Sequence, residues 1–158
     1  MSATSERPRS TLRGSEKKEA FFSAVEEGIQ TFSMADAKDS VDGRTNYRLC
    51  NGDVLRGTVQ VLPPGFANSL HYHPAYEGFW MVLKGRVRFH GADEVIGDFG
   101  SMEGAYIPCN GRYWFEQVGE EAAQLLQIQG NPKNGSNKRV DIGERHAGHG
   151  KTHLIEKN

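Results

Sequence analysis

The sequence predicts an all-β barrel or two-sheet roll, and three observations carry that prediction. Beyond about residue 40 the apolar period changes from the spacing of a helix to the alternation of half-buried strands. Short runs rich in strand formers, TVQVL (58–62), GFWMVLKG (78–85), RVRFH (86–90), AYI (105–107), YWFEQV (113–118) and AQLLQIQ (123–129), are punctuated by turn residues such as Pro63-Pro64-Gly65 and Lys84-Gly85. The third observation is 19 glycines and 6 prolines spread along 158 residues, which suits many tight turns and disfavours helical bundles and coiled coils.

The elements follow in order. Residues 1–18 mix Ser, Thr, Arg, Lys and Pro with little to bury, and are read as a disordered arm. Its basic bias resembles an organelle-targeting segment only faintly, because Glu6 and Glu16 count against one. Residues 19–45 hold an N-terminal helix and its lead-in. Ser15 is the expected N-cap, Ala20, Phe21, Phe22, Val25 and Ile29 fall at helical spacing, and Gly28 loosens the end. The strands occupy residues 46–130. After Gly130 the composition turns polar and rich in Gly, Asn and Lys, so residues 131–158 are read as a tail over the surface.

Charge and size exclude several classes of function. Nineteen Lys and Arg against 20 Asp and Glu leave a net charge of −1, with no general attraction to nucleic acid or to an anionic bilayer. No run approaches the roughly 20 apolar residues of a membrane span, and the N-terminus has no apolar signal core, so a soluble cytoplasmic protein is expected. Cys50 and Cys109 form no CxxC pair and are read as reduced thiols. At 17.5 kDa and 37 % hydrophobic residues the chain has material for one core.

The chemistry concentrates in Gly65-Phe-Ala-Asn-Ser-Leu-His71-Tyr-His73-Pro-Ala-Tyr-Glu77. On an extended strand alternate side chains share a face, so His71 and His73 point the same way, and Glu77 has the same parity if the strand is regular. Two imidazoles and a carboxylate would hold one face of a divalent transition metal and leave positions for water, O2 or a chelating substrate. Fe(II) is favoured for that set, with Mn(II), Ni(II) or Zn(II) as alternatives.

These residues resemble the cupin superfamily. Its first motif is matched by Gly65, His71, His73, Glu77 and Gly85, and its second in outline by IPCNGRYWFEQVGEE (107–121). The resemblance covers about residues 46–130 and implies a jelly-roll barrel, the double-stranded β-helix, often dimeric, with a metal in its mouth. Departures from the pattern are specific. Met102 and Asn110 stand where the second motif has glycine, Tyr113 where it has its histidine ligand, and Gln117 where it has asparagine. Counted back from Gly85, the glutamate position falls on Gly78, and a β-bulge near Glu77–Gly78 would absorb the extra residue.

Two functional readings follow. In the first, a mononuclear non-haem enzyme, an oxygenase or an isomerase/lyase, acts on a small organic molecule. His71, His73 and Glu77 hold the metal, while Tyr113 or Gln117 positions the substrate. In the second, the barrel is a non-catalytic module that binds a small molecule or a metal. Tyr113 has three possible roles: phenolate ligand, substrate contact or packing. Phe66, Tyr72, Tyr76, Phe79, Trp80, Tyr106, Trp114 and Phe115 crowd the expected interior and mouth, mostly as core. Cys109 is expected to be a small buried hydrophobe and His90 a turn residue. His146, His149 and His153 read as a solvated tract. Association into a homodimer would protect the edge strands.

Overall fold

The computed structural model describes residues 14–39, 42–130, 138–144 and 151–157. One helix, α1 (Ser15–Glu26), precedes eleven strands: β1 (Arg44–Asn51), β2 (Leu55–Leu62), β3 (His71–Tyr72), β4 (Gly78–Lys84), β5 (Arg86–His90), β6 (Val95–Phe99), β7 (Gly104–Ile107), β8 (Trp114–Val118), β9 (Ala123–Gly130), β10 (Val140–Asp141) and β11 (Thr152–Glu156). Six of them form a sheet in the order β11-β1-β2-β9-β4-β7, antiparallel except where β11 runs parallel to β1. A second wall is built from the sheet β6-β5-β8 and the ribbon β10-β3. Bridges from Ala67 to Glu116 and from His71 to Tyr113 join the two parts.

Strand alternation divides the apolar side chains between two cores. Between the walls lie Leu62, Phe66, Trp80, Val82, Val87, Phe89, Ile107, Tyr113, Phe115, Ala123 and Leu125, which is the barrel interior. Tyr47, Leu49, Val59 and Val61 face the opposite side of the six-stranded sheet, where Met34, Ala37, Leu83 and Leu126 cover them. The lead-in to β1 is therefore a packed flap, and the backbone N–H of Lys38 donates to the hydroxyl of Tyr47 at 3.2 Å.

Several elements differ from the sequence reading. The helix cap is Gly14, with Ser15 the first helical residue, and no residue of α1 is buried. Charged Glu16, Lys17, Lys18, Glu19 and Glu26 interleave with its apolar residues, so it presents no continuous apolar face. After Gly130, Val140–Asp141 pairs with Tyr72 and His71, and Thr152–Glu156 pairs with Arg44–Arg48, so this polar segment supplies two edge strands. Among the described residues no helix is long and apolar enough to cross a membrane.

Candidate functional site

His71 sits at the first residue of β3, locked to β8. Its backbone N–H donates to the carbonyl of Tyr113, and the Tyr113 N–H donates back, each at 3.0 Å. Its Nδ1 lies 2.7 Å from the carbonyl of Ser69. A carbonyl only accepts, so Nδ1 carries the proton and Nε2 presents its lone pair. Burial, with the Arg139 guanidinium nearby, pushes the ring down to about 3. His73 is pushed down to about 4 by the same two causes, and both rings are neutral at physiological pH. The ring centroids are 5.1 Å apart, edge to face.

Tyr76 stacks on His73 at 4.2 Å and its hydroxyl lies 2.9 Å from His73 Nε2. Burial raises its phenol well above the usual range. The other ring nitrogen of His73, Nδ1, is buried without a hydrogen-bond partner, and the Lys138 carbonyl acts on the ring from beyond bonding geometry. With Gly78, Trp80, Ile107, Pro108, Gly111 and Tyr113, these two residues line a narrow cleft whose walls leave no room for a water-sized sphere. Trp80 is 2 % exposed, and its indole N–H finds no acceptor.

Glu77 does not join the histidines. Its side chain is exposed and accepts a hydrogen bond from the Tyr106 hydroxyl at 2.7 Å, on the outer surface. The parity argument fails because β3 ends at Tyr72 and the chain bends through Pro74 before β4 begins. Gly78 takes the inward position instead. A Cβ there would stand 2.5 Å from the carbonyl oxygen of Ile128, so a side-chain ligand at that position is sterically excluded. The expected bulge lies elsewhere as well, since the register of β4 against β9 shifts between Val82 and Lys84. Among the described residues no three His, Cys, Asp or Glu side chains converge. Two neutral imidazoles without a carboxylate do not fit the three-ligand ion that the resemblance implies.

Tyr113 is 2 % exposed and surrounded by rings: His71 at 4.3 Å, Trp80 at 5.0 Å and Phe89 at 6.3 Å. Burial raises its phenol well above the usual range, which disfavours a phenolate ligand. Tyr113 therefore belongs to both the core and the cleft wall.

Gln117 is a structural residue here. Its Oε1 accepts from the Gly65 N–H at 2.8 Å, and its Nε2 is within bonding distance of the carbonyls of Val118, Gly119 and Glu121. Cys109 is exposed, not buried. His90 faces outward, stacked on Trp114 at 3.8 Å and 2.9 Å from Glu116. His153 donates to the carbonyl of Asp42 at 2.9 Å, while His146 and His149 lie outside the described residues.

Sequence reasoning passed over Tyr76 as a partner for His73 and missed Arg139. Arg139 donates to Ser69 Oγ at 2.7 Å, reaches the carbonyl that also accepts from His71, and pairs with Asp141 at 2.7 Å. Nothing in the polar segment around Arg139 signals that β10 will pair with β3.

No protein-family model and no curated protein sequence matches the chain. Solved structures do. An uncharacterised conserved protein with a double-stranded β-helix domain from Klebsiella pneumoniae is 15 % identical, with 73 % of this chain covering 99 % of that one at a TM-score of 0.62. KdgF from Halomonas sp. is 12 % identical over 65 % of this chain and 93 % of its own, at 0.57. An RmlC-like cupin family protein from Methanocaldococcus jannaschii is 15 % identical over 67 % and 94 %, at 0.56. At such identities the likeness speaks to architecture, and it agrees with the two walls, the core between them and the histidine-bearing strand described above: the chain has the double-stranded β-helix fold of the cupins.

Proposed function

We propose that the barrel binds a small organic molecule in the cleft between His73, Tyr76, Trp80 and Tyr113, as a module that does not depend on a three-ligand metal. The observation that carries this reading is the cleft itself: a narrow slot walled by aromatic rings and lined by Trp80, whose indole N–H is unpartnered, and by the neutral imidazole of His73, with His71 packed behind Tyr113. An aromatic slot takes the flat body of a ligand, and a few fixed polar atoms orient it. The chain's own residues could also hold a proton at the Tyr76 hydroxyl and accept one at His71 Nε2, which is the chemistry available if turnover occurs. Homodimer formation belongs to the same reading, and its support is that β7 and β11 stand at the edges of the six-stranded sheet.

Saturation-transfer NMR with a library of small organic fragments tests the site. Fragments are expected to bind the natural chain and to lose contact in Trp80→Phe and Tyr76→Phe. Binding unchanged in both variants overturns the reading. Elemental analysis of untagged protein should find no full equivalent of iron, manganese, nickel or zinc, and no difference in Glu77→Gln. One equivalent that disappears in both His71→Ala and Glu77→Gln would restore the metal-dependent enzyme.

A further inference from the structure

The inward face of the six-stranded sheet is not apolar throughout. Pairing places Arg56, Gln129 and Gly78 in one row across β2, β9 and β4, and Arg48, Thr58, Gln127 and Trp80 in the next row across β1, β2, β9 and β4. Residues in directly paired positions share a face, so Arg48 and Arg56 stand on the same face as Trp80 and the cleft-lining Gly78, half-buried, with Arg56 Nε donating to Asn51 at 3.1 Å. Asn46 and Gln60 form a further polar row, and Arg44 lies on the same face of β1. A chain of amides, Gln60 to Gln127 at 2.7 Å and Gln127 to Gln129 at 3.0 Å, links these rows to Arg44, which donates to Gln60 at 3.1 Å.

Positive charge outnumbers negative on this face: Glu156 of β11 stands opposite Arg48 and acts on Arg56, and makes an ion pair with neither. Among the described residues no carboxylate lies within ion-pair distance of Arg44, Arg48 or Arg56. The Nε groups of Arg44 and Arg48 are buried without partners, as is the indole N–H of Trp80. The guanidinium groups repel one another: burial and Arg139 together push Arg44 down to about 10, and burial and Arg48 lower Arg56. Burying cations unpaired is costly, and an anion seated between them offsets that cost. The unpartnered arginine and indole groups are donors and call for an acceptor, while Asn46 Oδ1 in the neighbouring row is an unpartnered acceptor that a donor on the same ligand would meet.

We infer that the ligand of this barrel is a small organic carboxylate, its oxygens held by Arg48, Arg56 and the indole N–H of Trp80 and its carbon body lying between Tyr76, Trp80 and Tyr113. This inference rests on the small-molecule reading above and names the class of ligand. The planar, two-oxygen carboxylate matches the guanidinium fork and the flat slot. The cleft as it stands admits no water-sized sphere, so a small acid enters by movement of the lining side chains, and a body as large as a nucleotide is excluded.

Titration calorimetry and thermal shift of the full chain test it with benzoate and succinate, their uncharged amides benzamide and succinamide, and inorganic phosphate. One or both carboxylates should bind and raise the melting temperature, with the matching amide at least about tenfold weaker. Arg48→Gln and Arg56→Gln should each weaken that carboxylate about tenfold while leaving the amide unchanged. If a glutamine variant does not fold, the corresponding Arg→Lys change keeps the charge but not the fork, and should bind the carboxylate with intermediate affinity. Equal binding of acid and amide, lost in Trp80→Phe, overturns the carboxylate assignment and leaves the small-molecule site standing. Phosphate binding with the carboxylates silent overturns it in favour of an inorganic anion, as does carboxylate binding indifferent to both arginines. Fragments that bind at Trp80 while neither carboxylate binds anywhere also overturn it, and no binding by any compound or fragment overturns both readings.

Discussion

At Gly78 the close approach of β9 fixes what the site can hold, because even a methyl group would meet the Ile128 carbonyl at 2.5 Å. Gly78→Ala is therefore expected to lower stability by about 1–3 kcal/mol, read as a reduced urea midpoint. An unchanged midpoint would mean that β4 can move aside and that a side chain is tolerated after all. Met102 and Asn110 are the non-glycine residues in the left-handed region among those described, with φ of 69° and 63°. They are also the positions where the resemblance expects glycine. Met102→Gly should raise the thermal midpoint, by up to about 1 kcal/mol in stability, since the strain it removes exceeds the entropy it adds to the unfolded chain. The buried histidines make a further prediction. Unfolded, each takes up a proton near 6.5, whereas folded His71 and His73 do so near 3 and 4. Between those values the unfolded chain binds more protons, so stability falls as pH drops below 6.5 and is unaffected by these rings above it. The slope is at most about 1.4 kcal/mol per pH unit for each ring. Urea midpoints measured from about pH 7 down to about pH 4 check this, and a level profile over that window would place both rings in water.

The elements show which parts of the site a sequence could disclose. Strands β2, β4, β5, β8 and β9 follow the alternation and turn residues that predict them, and the motif around His71 and His73 identifies the fold. Glu77 was not legible because alternation holds only while the strand lasts, and β3 is two residues long before Pro74 turns the chain. The extra residue counted from Gly85 is real, but it is absorbed at Val82–Lys84, where Leu83 turns to the outer core. Gln117 shows the same limit differently: a motif position says where a residue sits, not which of its neighbours it bonds. Its side chain fastens the turn at Gly65 to the β8–β9 turn. Gln117→Ala should cost about 2–4 kcal/mol by leaving buried groups unpaired, with carboxylate or fragment affinity of the folded fraction unchanged. A loss of affinity without a loss of stability would return Gln117 to the site. The arginines escaped notice for a further reason. No motif or spacing singles out Arg44, Arg48 and Arg56, and it is the pairing of β1 with β2 that gathers them on one face of the sheet.

Across the whole molecule, the six-stranded sheet is covered twice, by the second wall on one face and by the Met34–Ala37 flap on the other. That leaves the edges at β7 and β11 as the exposed backbone of the sheet. Light scattering at micromolar concentration is expected to give the mass of two chains, and a monomer there removes the homodimer from the reading. Strand β11 has a consequence of another kind. It lies parallel against β1, pairing Arg44 with Thr152, and β10 brings Arg139 to Ser69 and His71. The strands that hold the barrel's first and third strands in place thus lie far along the sequence from them, 70 residues between Ser69 and Arg139 and 108 between Arg44 and Thr152. Closing loops of that length costs entropy before any contact repays it, so these pairings are expected to form late in folding, after the local hairpins of the two walls.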